Sequence, residues 1–283
     1  MNLIVFYGLI LVFGLCIGSF INMAAYRIPK MLNFSWFVEC YEFLNLQPKF
    51  HNLPKLAFNL CLPRSHCPYC KQQIAFFDNI PLLSYFLLRA KCRSCKQKIS
   101  TSYPLTEILT GIFSVFVAYK FGMEYKVGFA LLLSWVLILQ AAIDMKEYII
   151  PDEITLPMLW LGLIINKFDI FVNLESAVMG AIFGYLSFWV IYWIFKLITG
   201  KDGMGYGDFK LLAMLGAWFG CQQLLLIVLI ASAIGSLVGG MLILLKKQDK
   251  NCPIPFGPYL AMGGWIAMMY GSCINKWYFF QCY

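Results

Sequence analysis

The sequence predicts an all-α polytopic membrane protein with about eight transmembrane helices and one small polar domain inserted after the first helix. Hydrophobic residues make up 61% of the 283 residues, charged residues make up 13%, and the mean hydropathy is +0.73. These values lie well outside the range of soluble domains. Apolar runs of membrane-spanning length recur along the chain without the period-two alternation of a membrane β-barrel. We therefore expect a helical bundle whose function depends on its few polar residues.

The apolar runs predict eight spans. They cover residues 3–26, 103–119, 127–143, 153–166, 175–198, 209–220, 223–245 and 257–273. The first run has no basic residue before it and no small-residue cleavage site, so we interpret it as a retained helix with its N-terminus outside. The run at 209–220 is short for a span, and we assign it to a short or tilted helix.

The net charge of +8 is interpreted as an orientation signal rather than as a sign of a nucleic-acid partner. With the N-terminus outside, eighteen of the 22 Lys and Arg residues fall on the inner side, as the positive-inside rule requires. The predicted organisation is a first transmembrane helix at 1–26, a cytoplasmic domain at 27–102 and a transmembrane bundle at 103–283. Within the cytoplasmic domain, residues 31–63 are rich in aromatic side chains, Asn and Pro, and we expect an irregular or surface-lying segment there.

Two cysteine pairs predict a metal site in the cytoplasmic domain. Cys67 and Cys70 form one C-x2-C pair, and Cys92 and Cys95 form a second pair after twenty-one intervening residues. This spacing is typical of a four-thiolate tetrahedral zinc site, and a reducing cytoplasm disfavours disulfides. We therefore predict a small cytoplasmic zinc-binding domain with a structural zinc ion.

Two alternatives to this four-cysteine zinc site stay open. His66 or Cys61 is close enough in sequence to replace one of the four ligands. The second alternative is that the pairs are redox dithiols, which would make the chain a membrane thiol redox protein. A redox protein needs one C-x2-C pair and gains nothing from a second at zinc spacing, so we favour zinc.

Two aspartates are the candidate catalytic residues. Asp144 ends the third predicted span, and Asp208 begins the sixth within Gly205-Tyr206-Gly207-Asp208, so both fall at the cytoplasmic face. Two adjacent carboxylates share a proton and can activate a water while protonating a scissile amide, which is the chemistry of aspartic proteolysis. The two glycines are expected to let a substrate backbone approach. The alternative for Asp208 is a helix N-cap in a flexible loop.

Other acids are assigned lesser roles. Asp152 follows Pro151 and is predicted to cap the helix of the fourth span. Glu107 is expected to pair with a nearby base or polar group, with substrate binding as the alternative. A transporter that binds cations through paired acids would place them near the middle of the membrane, whereas these lie at one face.

Taken together, these residues resemble the bacterial prepilin peptidases of type IV pili and type II secretion, which are GxGD aspartic membrane proteases. The resemblance covers nearly the whole chain. It rests on the Gly205–Asp208 motif, the two cysteine pairs and four further stretches, which are GSFINMAAYRIP (18–29), ISTSYPLTE (99–107), IDMKEYIIPDEITLP (143–157) and PFGPYLAMGG (255–264).

The resemblance implies that Asp144 and Asp208 are the catalytic pair and that Cys67, Cys70, Cys92 and Cys95 hold zinc. It further implies a bacterial inner-membrane enzyme that cuts the basic leader of prepilin or pseudopilin precursors after a glycine at the cytoplasmic face. Many members also methylate the new N-terminus with S-adenosylmethionine. Methylating members usually carry Gly two positions before the third cysteine, where this chain has Ala90. No glycine-rich nucleotide loop follows a strand, so no residues are assigned to that cofactor.

Overall fold

The computed structural model describes residues 2–45, 58–245 and 254–280, and helices make up most of these. In the described part of the chain, five helices are long and apolar enough to cross a membrane. Each of the eight predicted apolar runs lies in a helix, except that the runs at 209–220 and 223–245 extend one residue beyond theirs. The chain divides into two compact units, Met1–Tyr119 and Lys120–Tyr283.

The first unit contains two long helices with a small cysteine-containing segment between them. Its elements are α1 (Leu3–Phe43), a 3-10 helix (Phe76–Asn79), α2 (Leu83–Leu87) and α3 (Ser102–Phe121). Small residues let α1 and α3 pack closely, as is usual between membrane helices. A Cβ atom added to Gly18 would lie 2.7 Å from the Cα atom of Glu107, and one added to Gly14 would lie 2.6 Å from the Ser114 hydroxyl oxygen.

The expectation of an irregular segment directly after the first span is wrong for residues 31–43. The first helix continues through Pro29 to Phe43, which at about 1.5 Å per residue makes it roughly 60 Å long. Residues 30–43 contain neither Gly nor Pro, so nothing in this part of the sequence stops a helix that has already formed. The remaining prolines of this stretch, Pro48 and Pro54, lie outside the described residues.

The second unit is a bundle of six helices among the described residues. They are α4 (Lys126–Glu147), α5 (Asp152–Asn166), α6 (Leu174–Thr199), α7 (Tyr206–Phe219), α8 (Cys221–Leu244) and α9 (Gly257–Phe280). α7 lies in the interior, in contact with α5, α6, α8 and α9.

The interior position of α7 explains its composition. Apart from Lys210, all of its residues from Asp208 to Phe219 are buried. A helix that is apolar all round needs burial on every side, and here the neighbouring helices supply it. With 14 residues, α7 is about 21 Å long, shorter than the hydrocarbon core of about 30 Å. The chain thus places Asp208 at the start of a short helix enclosed by protein.

Two facing glycines let α6 approach α7. A Cβ atom on either Gly180 or Gly216 would collide with the backbone carbonyl of the other. On the same side of α6, a Cβ atom on Gly184 would lie 2.7 Å from the Leu212 carbonyl oxygen. The backbones therefore touch along this face, which fixes the position of α7 in the bundle.

Candidate active site and metal centre

Asp144 lies in the last turn of α4 and is 5% exposed. The helix ends at Tyr148, which adopts a left-handed conformation (φ 57°) and donates its N–H to the Asp144 carbonyl at 3.0 Å. The side-chain Oδ2 of Asp144 accepts the backbone N–H of Gly257, the first residue of α9, at 2.9 Å. The Gly257 N–H thus orients this carboxylate.

Asp208 lies in the first turn of α7 and is 8% exposed. The N-cap of α7 is Gly205, so the alternative reading of Asp208 as an N-cap is wrong. Its backbone N–H bonds the Gly205 carbonyl at 3.2 Å, in the first turn of the helix. The side chain of Ile150 lies against both positions. Its Cβ atom would be 2.9 Å from a Cβ atom on Gly207, the neighbour of Asp208, and its Cδ1 atom would be 3.0 Å from one on Gly257, whose N–H binds Asp144.

The two glycines of the Gly205–Asp208 motif have different surroundings. A Cβ atom on Gly205 would meet only the Asp208 Oδ2, at 3.9 Å, so the space beside this residue is open. A Cβ atom on Gly207 would lie 2.9 Å from the Cβ of Ile150. The expectation that both glycines leave room for another chain is therefore wrong for Gly207, because the side chain of Ile150 already fills that room.

Asp152 does not cap α5, contrary to the prediction. The N-cap is Pro151, and the Asp152 carboxylate accepts the ammonium of Lys210 on α7 at 2.6 Å. Sequence patterns favour a cap for an acid at a helix start, but a cation on a distant helix supplies a stronger partner. The pair joins the starts of α5 and α7.

The four predicted metal ligands meet in the first unit. The sulfur atoms of Cys67, Cys70, Cys92 and Cys95 all lie within 4.8 Å of one another, and the Cys67 and Cys95 sulfurs are 3.8 Å apart. Four sulfurs around a zinc ion with Zn–S bonds of about 2.3 Å would be roughly 3.8 Å apart, so the donor set fits a tetrahedral metal ion. Neither His66 nor Cys61 belongs to this cluster, and the imidazole of His66 contacts the Arg64 carbonyl instead.

The two cysteine pairs are held by the same local structure used twice. Cys67 and Cys92 accept, at their carbonyls, the N–H groups of Lys71 and Lys96, which both have positive φ, 60° and 59°. Isolated β-bridges between His66 and Gln73 and between Lys91 and Lys98 close the two turns. Each pair is thus a tight knuckle that presents two adjacent sulfurs, as a metal site requires.

Backbone donors prepare the cluster for a cation. The N–H groups of Cys95 and Ser94 point at the Cys92 sulfur and lower the pKa of that thiol to about 7. The Gln97 N–H acts to lower the pKa of the Cys95 thiol. Burial and the neighbouring sulfurs outweigh it and raise this pKa to about 11. A bound cation would favour the thiolate form of both, because metal ligation requires deprotonated sulfur.

Removing one of these ligands should release the metal. We expect Cys70→Ser to lower bound zinc from about one ion per chain to nearly none, since three thiolates no longer complete the tetrahedral site. Elemental analysis of the purified protein measures this. Cys61→Ser is the control, because Cys61 is exposed and lies outside the cluster. Equal zinc in both variants would contradict the assignment of the ligands.

Comparison with known proteins decides the family. The Bacterial Peptidase A24 N-terminal domain matches residues 12–121, and the Type IV leader peptidase family matches residues 131–240. The chain belongs to the type IV leader peptidase family. It is 48% identical over 268 residues to the prepilin leader peptidase/N-methyltransferase of Stutzerimonas stutzeri, which covers 95% of this chain and 92% of the relative.

Two further relatives with the same name agree with this assignment. The Pseudomonas aeruginosa protein is 49% identical over 266 residues (94% of this chain, 90% of the relative), and the Aeromonas hydrophila protein is 47% identical over 273 residues (96% and 93%). No solved structure matches the chain significantly.

Ala90 has a side chain but adopts a backbone conformation that suits glycine. Ala90 has φ 57°, and its backbone is held on both sides, because its N–H bonds the Tyr85 carbonyl and its carbonyl accepts the Ile99 N–H, each at 2.8 Å. A left-handed conformation costs a residue with a Cβ atom roughly 1–2 kcal/mol. The sequence resemblance expects Gly at this position, and the backbone explains the preference.

Ala90→Gly should therefore stabilise the cysteine-containing segment. We expect a gain of up to about 1 kcal/mol, seen as a higher temperature of metal release. Ala75→Gly is the matched control, because Ala75 has φ −66° and Gly there only adds freedom to the unfolded chain. A lower release temperature for Ala90→Gly, equal to that of Ala75→Gly, would contradict the strain argument.

Sequence reasoning missed how the helices of the first unit hold this segment. Arg27, a buried residue of α1, donates to the carbonyls of Asn59 at 2.8 Å and Pro63 at 2.5 Å. Glu107 of α3, also buried, accepts the Leu82 backbone N–H at 2.9 Å, which confirms that it pairs with a polar group. The sequence does contain a signal for this role of Arg27, which is an Arg at the end of an apolar run. Such an Arg is rarely buried unless several hydrogen-bond acceptors surround its guanidinium group.

Proposed function

We propose that this chain is an aspartic endopeptidase of the bacterial inner membrane that removes the basic leader of prepilin-like precursors after a glycine at the cytoplasmic face. Asp144 and Asp208 are the catalytic pair in this proposal. They share one proton, and together they activate the hydrolytic water and protonate the departing amine. Zinc at the four cysteines stabilises the cytoplasmic domain and takes no part in the cleavage step.

The observation that carries the proposal is the meeting of these two acids within one bundle. They are 64 positions apart in sequence, yet both are buried, both lie at helix ends, and Ile150 packs against Gly207, beside Asp208, and against Gly257, which binds Asp144. Leaving two neighbouring carboxylates buried without a cation is costly, and enzymes accept that cost where acid–base chemistry is needed. Lys210, the nearby cation on α7, is bound to Asp152 and does not neutralise the pair.

The open space beside Gly205 supports the binding of an extended substrate. A peptide must leave the helical state before its amide can be attacked, and it then needs a place where its backbone can come close. Apart from its neighbours in the chain, Asp208 is the only described residue that would lie within 4 Å of a Cβ atom on Gly205. The scissile bond would lie there, beside the Asp208 carboxylate.

The placement at the cytoplasmic face rests on charge and on hydropathy. Eighteen of the 22 basic residues fall on the inner side in the proposed eight-span topology, and both aspartates lie at inner ends of spans in the same topology. A precursor with a basic leader and a long apolar helix would be held in the membrane with its leader on that side.

Methyl transfer to the new N-terminus, with S-adenosylmethionine as the donor, is proposed as a second activity. It is supported by the relatives, which are named prepilin leader peptidase/N-methyltransferase. Cleavage and methyl transfer are separable, because hydrolysis needs only the two acids and water.

Mass spectrometry of the product tests both activities. Purified protein is incubated with a precursor pilin with and without S-adenosylmethionine, and the mature pilin is weighed. We expect loss of the leader in both reactions and an added methyl group only with the cofactor. An uncut precursor would overturn the peptidase proposal, whereas a cut but unmethylated product would overturn only the second activity.

A further inference from the structure

Ile150 is a buried apolar residue that touches the backbone next to both candidate catalytic acids. It is 8% exposed and lies in the short connection between α4 and α5. Its Cβ and Cγ1 atoms would lie 2.9 and 3.4 Å from a Cβ atom on Gly207, the neighbour of Asp208. Its Cδ1 atom would lie 3.0 Å from a Cβ atom on Gly257, whose N–H holds Asp144.

The connection that carries Ile150 is anchored by buried hydrogen bonds. The Pro151 carbonyl accepts the hydroxyl of Thr155 at 2.9 Å, and the same hydroxyl accepts the amide of Gln140 at 2.8 Å. Gln140 and Thr155 are at most 1% exposed. Gln140 precedes Asp144 by one helical turn, so the backbone beside Ile150 is tied to the helix that carries this acid.

We propose that Ile150 is a positioning residue that sets the separation of Asp144 and Asp208 by packing between Gly207 and Gly257. This inference rests on the proposed aspartic peptidase function. The branched side chain holds the start of α7 and the start of α9 at a defined distance from each other, and each start positions one of the two acids. It also excludes water from the space beside the carboxylates, which strengthens their interaction.

The absence of side chains at Gly207 and Gly257 fits this role. A Cβ atom at either position would push against Ile150, so both glycines allow close contact with a residue of fixed shape. A β-branched side chain has few rotamers and is a stiff spacer. The other charged side chains near this connection, on α4, α5 and α7, are Lys146, Glu147, Asp152, Glu153 and Lys210.

A size series at Ile150 tests the inference. We expect Ile150→Ala to lower kcat for leader cleavage by about 100-fold, because misplacement by about 1 Å costs this much, with a much smaller change in KM. Ile150→Val keeps the branched carbon against Gly207 and should lose less than about 10-fold. Water admitted beside the acids stabilises their doubly ionised state, so the alkaline limb of the pH–rate profile should move to lower pH in Ile150→Ala.

Ile170→Ala is the matched control. Ile170 is 7% exposed and lies in the connection after α5, at the opposite end of that helix from Ile150. Both variants lose the same atoms from similar burial, so similar losses of melting temperature are expected, but only Ile150→Ala should shift the pH profile. If Ile150→Ala does not fold, the same comparison is made between Ile150→Val and Ile170→Val.

The inference is overturned if the Ile150 and Ile170 variants cleave with equal kcat and equal pH profiles. Asp208→Asn in the same assay separates this outcome from failure of the proposed function. An active Asp208→Asn enzyme would refute the aspartic mechanism itself. An inactive Asp208→Asn enzyme with unaffected Ile150 variants would refute only the positioning role.

Discussion

Asp144→Asn and Asp208→Asn are each expected to lower leader cleavage by about 10³-fold or more. An amide cannot take up or release the shared proton, so the water is no longer activated and the departing amine is not protonated. Asn has nearly the shape of Asp, and its side-chain oxygen can still accept the Gly257 N–H at position 144. The fold and the zinc content should therefore be unchanged. Timed mass spectrometry of a precursor pilin measures the loss.

The control for the aspartates is Asp169→Asn. Asp169 lies between α5 and α6 with φ 52°, a conformation that Asn tolerates well, and we expect its activity to match the unmodified enzyme. Full activity of either Asp144→Asn or Asp208→Asn would defeat the aspartic mechanism. The thiol redox alternative makes the opposite prediction, namely indifference to Asp144→Asn and loss of activity in Cys92→Ser. The convergence of all four sulfurs in one cluster favours a single metal site over separate redox pairs.

Gly257→Ala is expected to lower kcat by about 100-fold while leaving the protein folded. The new Cβ atom would lie 2.6 Å from Oδ2 and 3.1 Å from Cγ of Asp144, so the carboxylate must turn away and give up its hydrogen bond to the Gly257 N–H. The acid then points in a new direction, and errors of this size in catalytic geometry cost about two orders of magnitude. The end of an Asp side chain moves easily, so the helices need not separate.

Gly240→Ala is the matched control for Gly257→Ala. Gly240 lies in α8, and a Cβ atom there would meet nothing within 4 Å, so we expect a rate within about twofold of the unmodified enzyme. Rates and melting temperatures of both variants are compared in detergent. If Gly257→Ala cleaves as fast as Gly240→Ala, the Gly257 N–H is not needed to hold Asp144.

The sequence predicted the helices well where hydropathy alone decides. The run at 175–198 became Leu174–Thr199, and the run at 127–143 became Lys126–Glu147. The predicted end of the first helix at residue 26 was wrong, because an apolar run shows which part of a helix is hydrophobic and not where the helix ends. The run at 209–220 became α7, but hydropathy could not show that its neighbours are other helices rather than lipid.

In the candidate site, too, features set by local sequence were predicted and contacts between distant residues were not. The four-cysteine cluster was predictable, since each cysteine pair forms its own turn and the spacing of a local motif is kept on folding. Asp152 was misassigned because its partner, Lys210, lies 58 residues away. Gly257 was noted within a motif but given no role, because its contact with Asp144 spans 113 residues.

The sequence by itself determined the membrane class, the positions of the apolar helices, the two cysteine knuckles and the identity of the candidate acids. These properties depend on composition and on neighbours within one or two turns of chain. The tertiary structure alone decided that α7 is central, that Gly257 orients Asp144, and that Ile150 packs between Gly207 and Gly257. Such contacts depend on how close separate helices come, which is set by many small residues acting together and by no local pattern.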